Sequence, residues 1–190
     1  MDDLLLSGNV KFDLVQMIID SCVNLTEVNF SNTKLDQESI NYIVNNLTPK
    51  VKKLSLRDIS LNDNHIEALV QRCSKLKFLD LRACRITNMS LNYIIMHLSN
   101  TLEDLNVDST NIDFDSLLHL RSMPKLKVIH FYEEAIEKKK HLFPSQTICT
   151  ELMCSKIKGP NPRERIWEIE AKQLQVFQGR WSPIEEWFEL

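Results

Sequence analysis

Apolar residues recur along this chain as φ-x-x-φ-x-φ-x-x-x-x-φ, with the first place of the pattern at Leu25, Val51, Leu76, Leu102 and Leu126. The steps between them are 26, 25, 26 and 24 residues. Aligned, the segments read LTEVNFSNTKL, VKKLSLRDISL, LKFLDLRACRI, LEDLNVDSTNI and LKVIHFYEEAI, apolar at positions one, four, six and eleven. Alternation at positions four and six predicts a short strand with one face buried. A residue suited to opening a helix follows each time: Asp36, Asn62, Thr87 and Asp113 are good N-caps, and Glu137 favours the helix dipole. The spacing then becomes helical, in the sets Ile40, Ile43, Val44, Leu47, then Ile66, Leu69, Val70, Cys73, and Leu91, Ile94, Ile95, Leu98.

Both ends depart from this rhythm. The fourth helix region keeps only Leu117 and Leu120 in phase, which predicts a short turn. At the amino end Met1, Leu4 and Leu6 fit the strand template although Lys11 breaks its last place, and a helix with Leu14, Met17 and Ile18 follows. An uncapped strand edge there is an invitation to pairing, so the expectation is that a further segment or a partner covers it.

A unit of one strand and one helix cannot bury its apolar face alone, so neighbouring units must stack. The expected fold is therefore α/β, a right-handed leucine-rich-repeat solenoid with a parallel sheet on the concave side and helices on the convex side. Residues 1–143 form the array and residues 144–190 a tail. Lys158-Gly159-Pro160-Asn161-Pro162 reads as a breaker. Beyond it lie Trp167, Phe177, Trp181, Trp187 and Phe188, too apolar for a free linker, so the tail is expected to pack back on the array.

The chain has 190 residues and a formal charge of −3, which gives no general pull toward nucleic acid or anionic membrane. No apolar run reaches the roughly 20 residues that span a bilayer, and Met1-Asp2-Asp3 lacks a secretory start. The sequons at Asn24, Asn29, Asn46 and Asn88 carry little weight on that ground. Of the five cysteines, Cys22, Cys73 and Cys84 fall at repeat phases and read as reduced thiols packed as small apolar groups. Cys22 and Cys73 lie two repeats apart, beyond disulfide reach. The expected location is nucleus and cytoplasm.

Positions three, five and seven of each unit are expected to face a partner. They supply Lys53, Arg57 and Arg82 as a cationic spot beside Asp80, Asp104 and Asp108, with His130 further along and Phe78 and Tyr132 as apolar anchors. The alternative is that these charges are solvated and neutralise one another across strands. Arg57 and Arg82 sit on adjacent strands and repel unless Asp58, Asp80 or a partner's anion lies between them. Signals for an enzyme are poor. Gly8, Gly159 and Gly179 are the only glycines and build no phosphate-cradling loop, His141 with Cys149 and Cys154 matches no usual zinc spacing, and no nucleophile motif accompanies His65, His97, His119 or His130. No catalytic residue, cofactor or metal ligand is assigned.

The unit Leu76-Lys-Phe-Leu-Asp-Leu-Arg-Ala-Cys84-Arg-Ile-Thr87 resembles the cysteine-containing repeat of F-box proteins, and Ile148-Cys149 followed by Arg165-Ile166-Trp167-Glu168-Ile169 resembles the carboxyl end of a substrate receptor in that family. The resemblance covers residues 1 to about 176. It implies the substrate-recognition portion of an F-box subunit of a cullin-type ubiquitin ligase, acting in protein turnover and the cell cycle. The concave face and returning tail, marked by Trp167, would hold a target carrying a phosphodegron, with a small kinase-associated accessory subunit as a second partner. The adaptor-binding F-box is not in this chain, and Phe177 to Leu190 match nothing in the family. The alternative is a stand-alone repeat scaffold or inhibitor that binds protein through the same face.

Overall fold

Eight strands build the main sheet of the protein, in a computed structural model that describes residues 3–131, 152–155 and 166–169. In chain order the first elements are β1 (Asp3–Leu5), β2 (Gly8–Asn9), α1 (Phe12–Ser21), β3 (Glu27–Asn29), β4 (Thr33–Lys34) and α2 (Gln37–Asn46). There follow β5 (Lys53–Ser55), α3 (Asp63–Arg72), β6 (Phe78–Asp80), α4 (Asn88–Leu98), β7 (Asp104–Asn106) and α5 (Phe114–Leu117). A 3-10 turn (Leu118–Ser122), β8 (Val128–His130), β9 (Leu152–Ser155) and β10 (Ile166–Ile169) complete the order. The fold is α/β.

Strands β1, β3, β5, β6, β7 and β8 pair in that order, all parallel, and β10 and β9 extend the sheet antiparallel beyond β8. The register follows the repeat phase without a slip, pairing Leu4 with Val28, Val28 with Leu54, Leu54 with Leu79, Leu79 with Leu105 and Leu105 with Ile129. These six residues form one column, buried from end to end. The openings Leu25, Val51, Leu76, Leu102 and Leu126 are buried too, as are Phe30, Leu56, Leu81, Val107 and Phe131 at position six. Each strand of the parallel row is three residues long.

Helix packs on helix in the same order, α1 on α2, α2 on α3 and α3 on α4. The starts lie where the sequence puts them: Asp36, Asn62, Thr87 and Asp113 are the N-caps of α2, α3, α4 and α5, and each accepts a backbone N–H with its side chain. Glu137 lies outside the described residues. The apolar sets of α2 and α3 are fully buried, while Ile95 of the α4 set is half-buried against the core. As the shorter unit predicts, α5 has four residues and passes into the 3-10 turn.

The expected set of α1 needs correction. Val15 and Ile19 are its buried residues, whereas Leu14 is 40% and Met17 58% exposed. Val15, Ile18, Ile19 and Cys22 are the places that Ile40, Ile43, Val44 and Leu47 occupy one unit later, so the stripe sits one residue beyond where Leu14 suggests. Its N-cap, Lys11, makes no side-chain cap.

One feature of the unit has no apolar signature. Position eight is left-handed wherever it is described: Gly8 has φ 80°, Asn32 57°, Asp58 59°, Ala83 59° and Ser109 55°. The turn lets the ladder continue past the strand, with the N–H of Asn32, Asp58 and Ala83 donating to the carbonyls of Arg57, Arg82 and Asp108 at 2.9, 2.9 and 3.0 Å.

Candidate protein-interaction face

The side chains at positions three, five and seven are set by the strands β3, β5, β6, β7 and β8, opposite to the buried column at position four. At position three Lys53 is half-buried and its Nζ lies 2.7 Å from Glu27 Oε1 on the neighbouring strand. Phe78 is only 3% exposed although it is not part of the core cluster. Asp104 lies beside His130, with Oδ1 to Nε2 at 3.4 Å, an ion-pair geometry when the imidazole is protonated.

Three of the five position-five side chains are turned away from solvent, against expectation. Ser55, Asp80 and Asn106 are buried, at 1%, 1% and 2% exposure. The cause is local. Asn29 Oδ1 accepts the Ser31 N–H at 2.8 Å, Asp80 Oδ1 the Arg82 N–H at 3.0 Å, and Asn106 Oδ1 the Asp108 N–H at 3.0 Å. A short side chain that bonds to the backbone two residues on shapes the turn out of the strand. Where serine takes this place, the Ser55 hydroxyl bonds instead to neighbours, Ser31 Oγ on one side and Asp80 Oδ2 at 3.2 Å on the other.

Asp80 is therefore a supporting residue of the face. Burial pushes its carboxyl up, and the Arg82 N–H, the Arg82 and Arg57 charges and the Ser55 hydroxyl pull it back without cancelling that rise. The charges of both position-seven arginines, Arg82 and Arg57, act on the Asp80 carboxyl. Both arginines are half-buried, and Asp108, 9% exposed, completes this row. Tyr132 lies outside the described residues. Trp167 is in β10, where its backbone pairs with Ile129 on one side and Cys154 on the other, so the tail strand lies beside β8 at the end of the parallel row.

Cys73 and Cys84 are buried free thiols, each pushed up to about 12 by burial, and Cys84 Sγ donates to the Leu56 carbonyl at 3.2 Å. That chemistry is inert at neutral pH. Among the described residues no group of His, Cys, Asp and Glu gathers to hold a metal, and no helix is long and apolar enough to cross a membrane.

No protein-family model matches the chain, and no curated protein does. Among solved structures it is similar to leiomodin-1 actin-binding site 2, at 17% identity over 68% of this chain and 83% of that one, with a TM-score of 0.49. A likeness at that level carries no argument about function.

Proposed function

We propose that the chain is a leucine-rich-repeat solenoid whose strand face is concave and binds protein. In this reading it is the substrate-recognition portion of an F-box subunit of a cullin-type ubiquitin ligase, most like the carboxyl-terminal part of the S-phase kinase-associated F-box protein. The chain performs no chemistry of its own. Residues 1–143 are the array, and residues 144–190 are a carboxyl-terminal tail that packs back on it. One observation supports the reading most: the strand Ile166-Trp167-Glu168-Ile169 returns to pair with β8, beside the row that carries Lys53, Arg57, Phe78, Arg82, Asp104, Asp108 and His130. The target is a protein bearing phosphate or other anionic groups that the Arg57 and Arg82 row attracts, with the accessory subunit beside it.

The test has two parts. The longest natural product of the gene, used as bait, recovers the ligase adaptor and cullin; recovery of other proteins without them favours the stand-alone scaffold. In that same product, Arg57→Glu with Arg82→Glu weakens target binding by up to about 3 kcal/mol if the pair is covered on association. Unchanged affinity removes the face from the account.

A further inference from the structure

Position one of the repeat is buried at Leu25, Val51, Leu76, Leu102 and Leu126, and in three of these units lysine flanks it on both sides: Lys50-Val51-Lys52, Lys75-Leu76-Lys77 and Lys125-Leu126-Lys127. All six lysines are exposed. The fold stacks them. The Lys52 N–H donates to the Thr26 carbonyl at 2.7 Å, Lys77 to Lys52, Glu103 to Lys77 and Lys127 to Glu103, each at 2.8 Å. Thr26, Lys52, Lys77, Glu103 and Lys127 are thus one continuous column across the strand starts, stepping about 4.8 Å at a time. Asn24, Lys50, Lys75, Thr101 and Lys125 form a second column two residues earlier.

This rim opposes the charge of the whole chain, which is −3. Six lysines share it with the single carboxylate of Glu103. That carboxylate shows how the column takes an anion, since Lys77 Nζ reaches Oε1 at 2.9 Å while Lys127 Nζ reaches Oε2. Lys52 and Lys77 are directly opposed like charges, an arrangement that costs energy until an anion lies between them. Among the described residues Lys52, Lys75 and Lys125 have no carboxylate partner.

We propose that this rim docks an extended acidic segment of a partner protein, whose Asp and Glu carboxylates lie across the lysine columns as Glu103 lies between Lys77 and Lys127. The proposal rests on the protein-binding reading and adds to it a second contact region of stated chemistry. Protein is favoured over the other polyanions on composition. The two columns hold no aromatic residue on which a base would stack, and no exposed apolar residue that would enter a bilayer.

The test is fluorescence polarisation of a labelled peptide of about ten alternating Asp and Glu residues with the full chain, at low and at raised salt. The expected result is saturable binding that weakens with salt. Lys52→Glu with Lys75→Glu should weaken it roughly tenfold or more, and Lys52→Gln with Lys75→Gln by less. The lysines are exposed, so far-ultraviolet circular dichroism should match wild type; if the glutamate variant unfolds, the glutamine variant carries the test. A wild-type chain that ignores the peptide, or lysine variants that bind it equally, overturns the proposal. Tighter binding of single-stranded nucleic acid or of phosphatidylserine vesicles overturns the assignment to protein. Because target binding is read separately through Arg57 and Arg82, failure at the rim leaves the reading of the strand face standing.

Discussion

Asp63 ties two repeat units together at a point where the consequence of removing it is calculable. It belongs to the first turn of α3, yet its carboxylate serves the start of α4: Oδ1 accepts the Thr87 N–H at 2.9 Å and the Ser90 N–H at 3.2 Å, together with the Ser90 hydroxyl. Oδ2 accepts the Thr87 hydroxyl at 2.8 Å. Ser90 has no exposed surface, so its hydroxyl has no water to turn to. Asp63→Ala removes a capping acceptor, worth about 1 kcal/mol. It also orphans a buried hydroxyl, at about 1–3 kcal/mol. The expected loss is about 2–4 kcal/mol, which moves a urea midpoint by roughly 1–2 M. Asp63→Asn keeps the shape but points a donor at one of its former donors, and should cost about half as much.

The same carboxylate predicts a pH signature. Burial raises its pKa, but the four hydrogen bonds from Ser90 and Thr87 together outweigh that, and the net shift is downward. A carboxyl whose folded pKa lies below its unfolded value contributes its full stability above about pH 3.9, and loses it as pH falls through the folded value. The gap between wild type and Asp63→Asn should therefore be widest near neutrality and shrink under strong acid. Urea titrations followed by circular dichroism at both pH values measure it. A loss below about 0.5 kcal/mol for Asp63→Ala, the range of ordinary surface changes, or a gap indifferent to pH, would refute the reasoning.

Three other outcomes follow from the geometry. Ala83 occupies the left-handed position at φ 59°, so Ala83→Gly should stabilise the chain by about 0.5–1 kcal/mol in the same titration, against the usual direction for a glycine. His65 is 7% exposed; its Nδ1 accepts the Asn62 N–H at 3.0 Å, and Nε2 lies 2.9 and 3.1 Å from Gln37 and Asn41 of α2, so burial lowers its pKa. The unfolded chain then binds the proton more readily, stability should fall as pH drops through about 6.5, and His65→Gln should remove that step from the melting temperature against pH. Cys73 and Cys84 should resist a thiol reagent at neutral pH that labels half-buried Cys22, and react only on unfolding; equal rates for the three would contradict their burial.

What was legible in the sequence was whatever depends on which side of an element is apolar. The buried column, the four N-caps and the shortened α5 follow from spacing, because a strand or helix that must bury one side has little freedom in where its apolar residues fall. The stripe of α1 was misplaced because Leu14 and Met17 are apolar and yet exposed, so composition there pointed away from the packing. Position five was misread for a different reason. Asn29, Asp80 and Asn106 look like surface residues until the turn two residues on is considered, and short Asx side chains before a turn were the available signal. The left-handed position was harder to see: Gly8, Asn32 and Asp58 are types that tolerate it, but Ala83 and Ser109 are not, so the position carries no uniform residue signature. Asp63 serves a helix in the next unit, a link that no single repeat displays.

The central claim is the in-register parallel row from β3 to β8, and methyl NOE spectroscopy of selectively labelled leucine, valine and isoleucine tests it directly. Contacts are expected between Val28 and Leu54, Leu54 and Leu79, Leu79 and Leu105, and Leu105 and Ile129, with none between Leu54 and Leu105, which lie two strands, about 10 Å, apart. Cross-peaks that skip a unit, or that pair these residues with position-six neighbours in place of one another, would contradict the account.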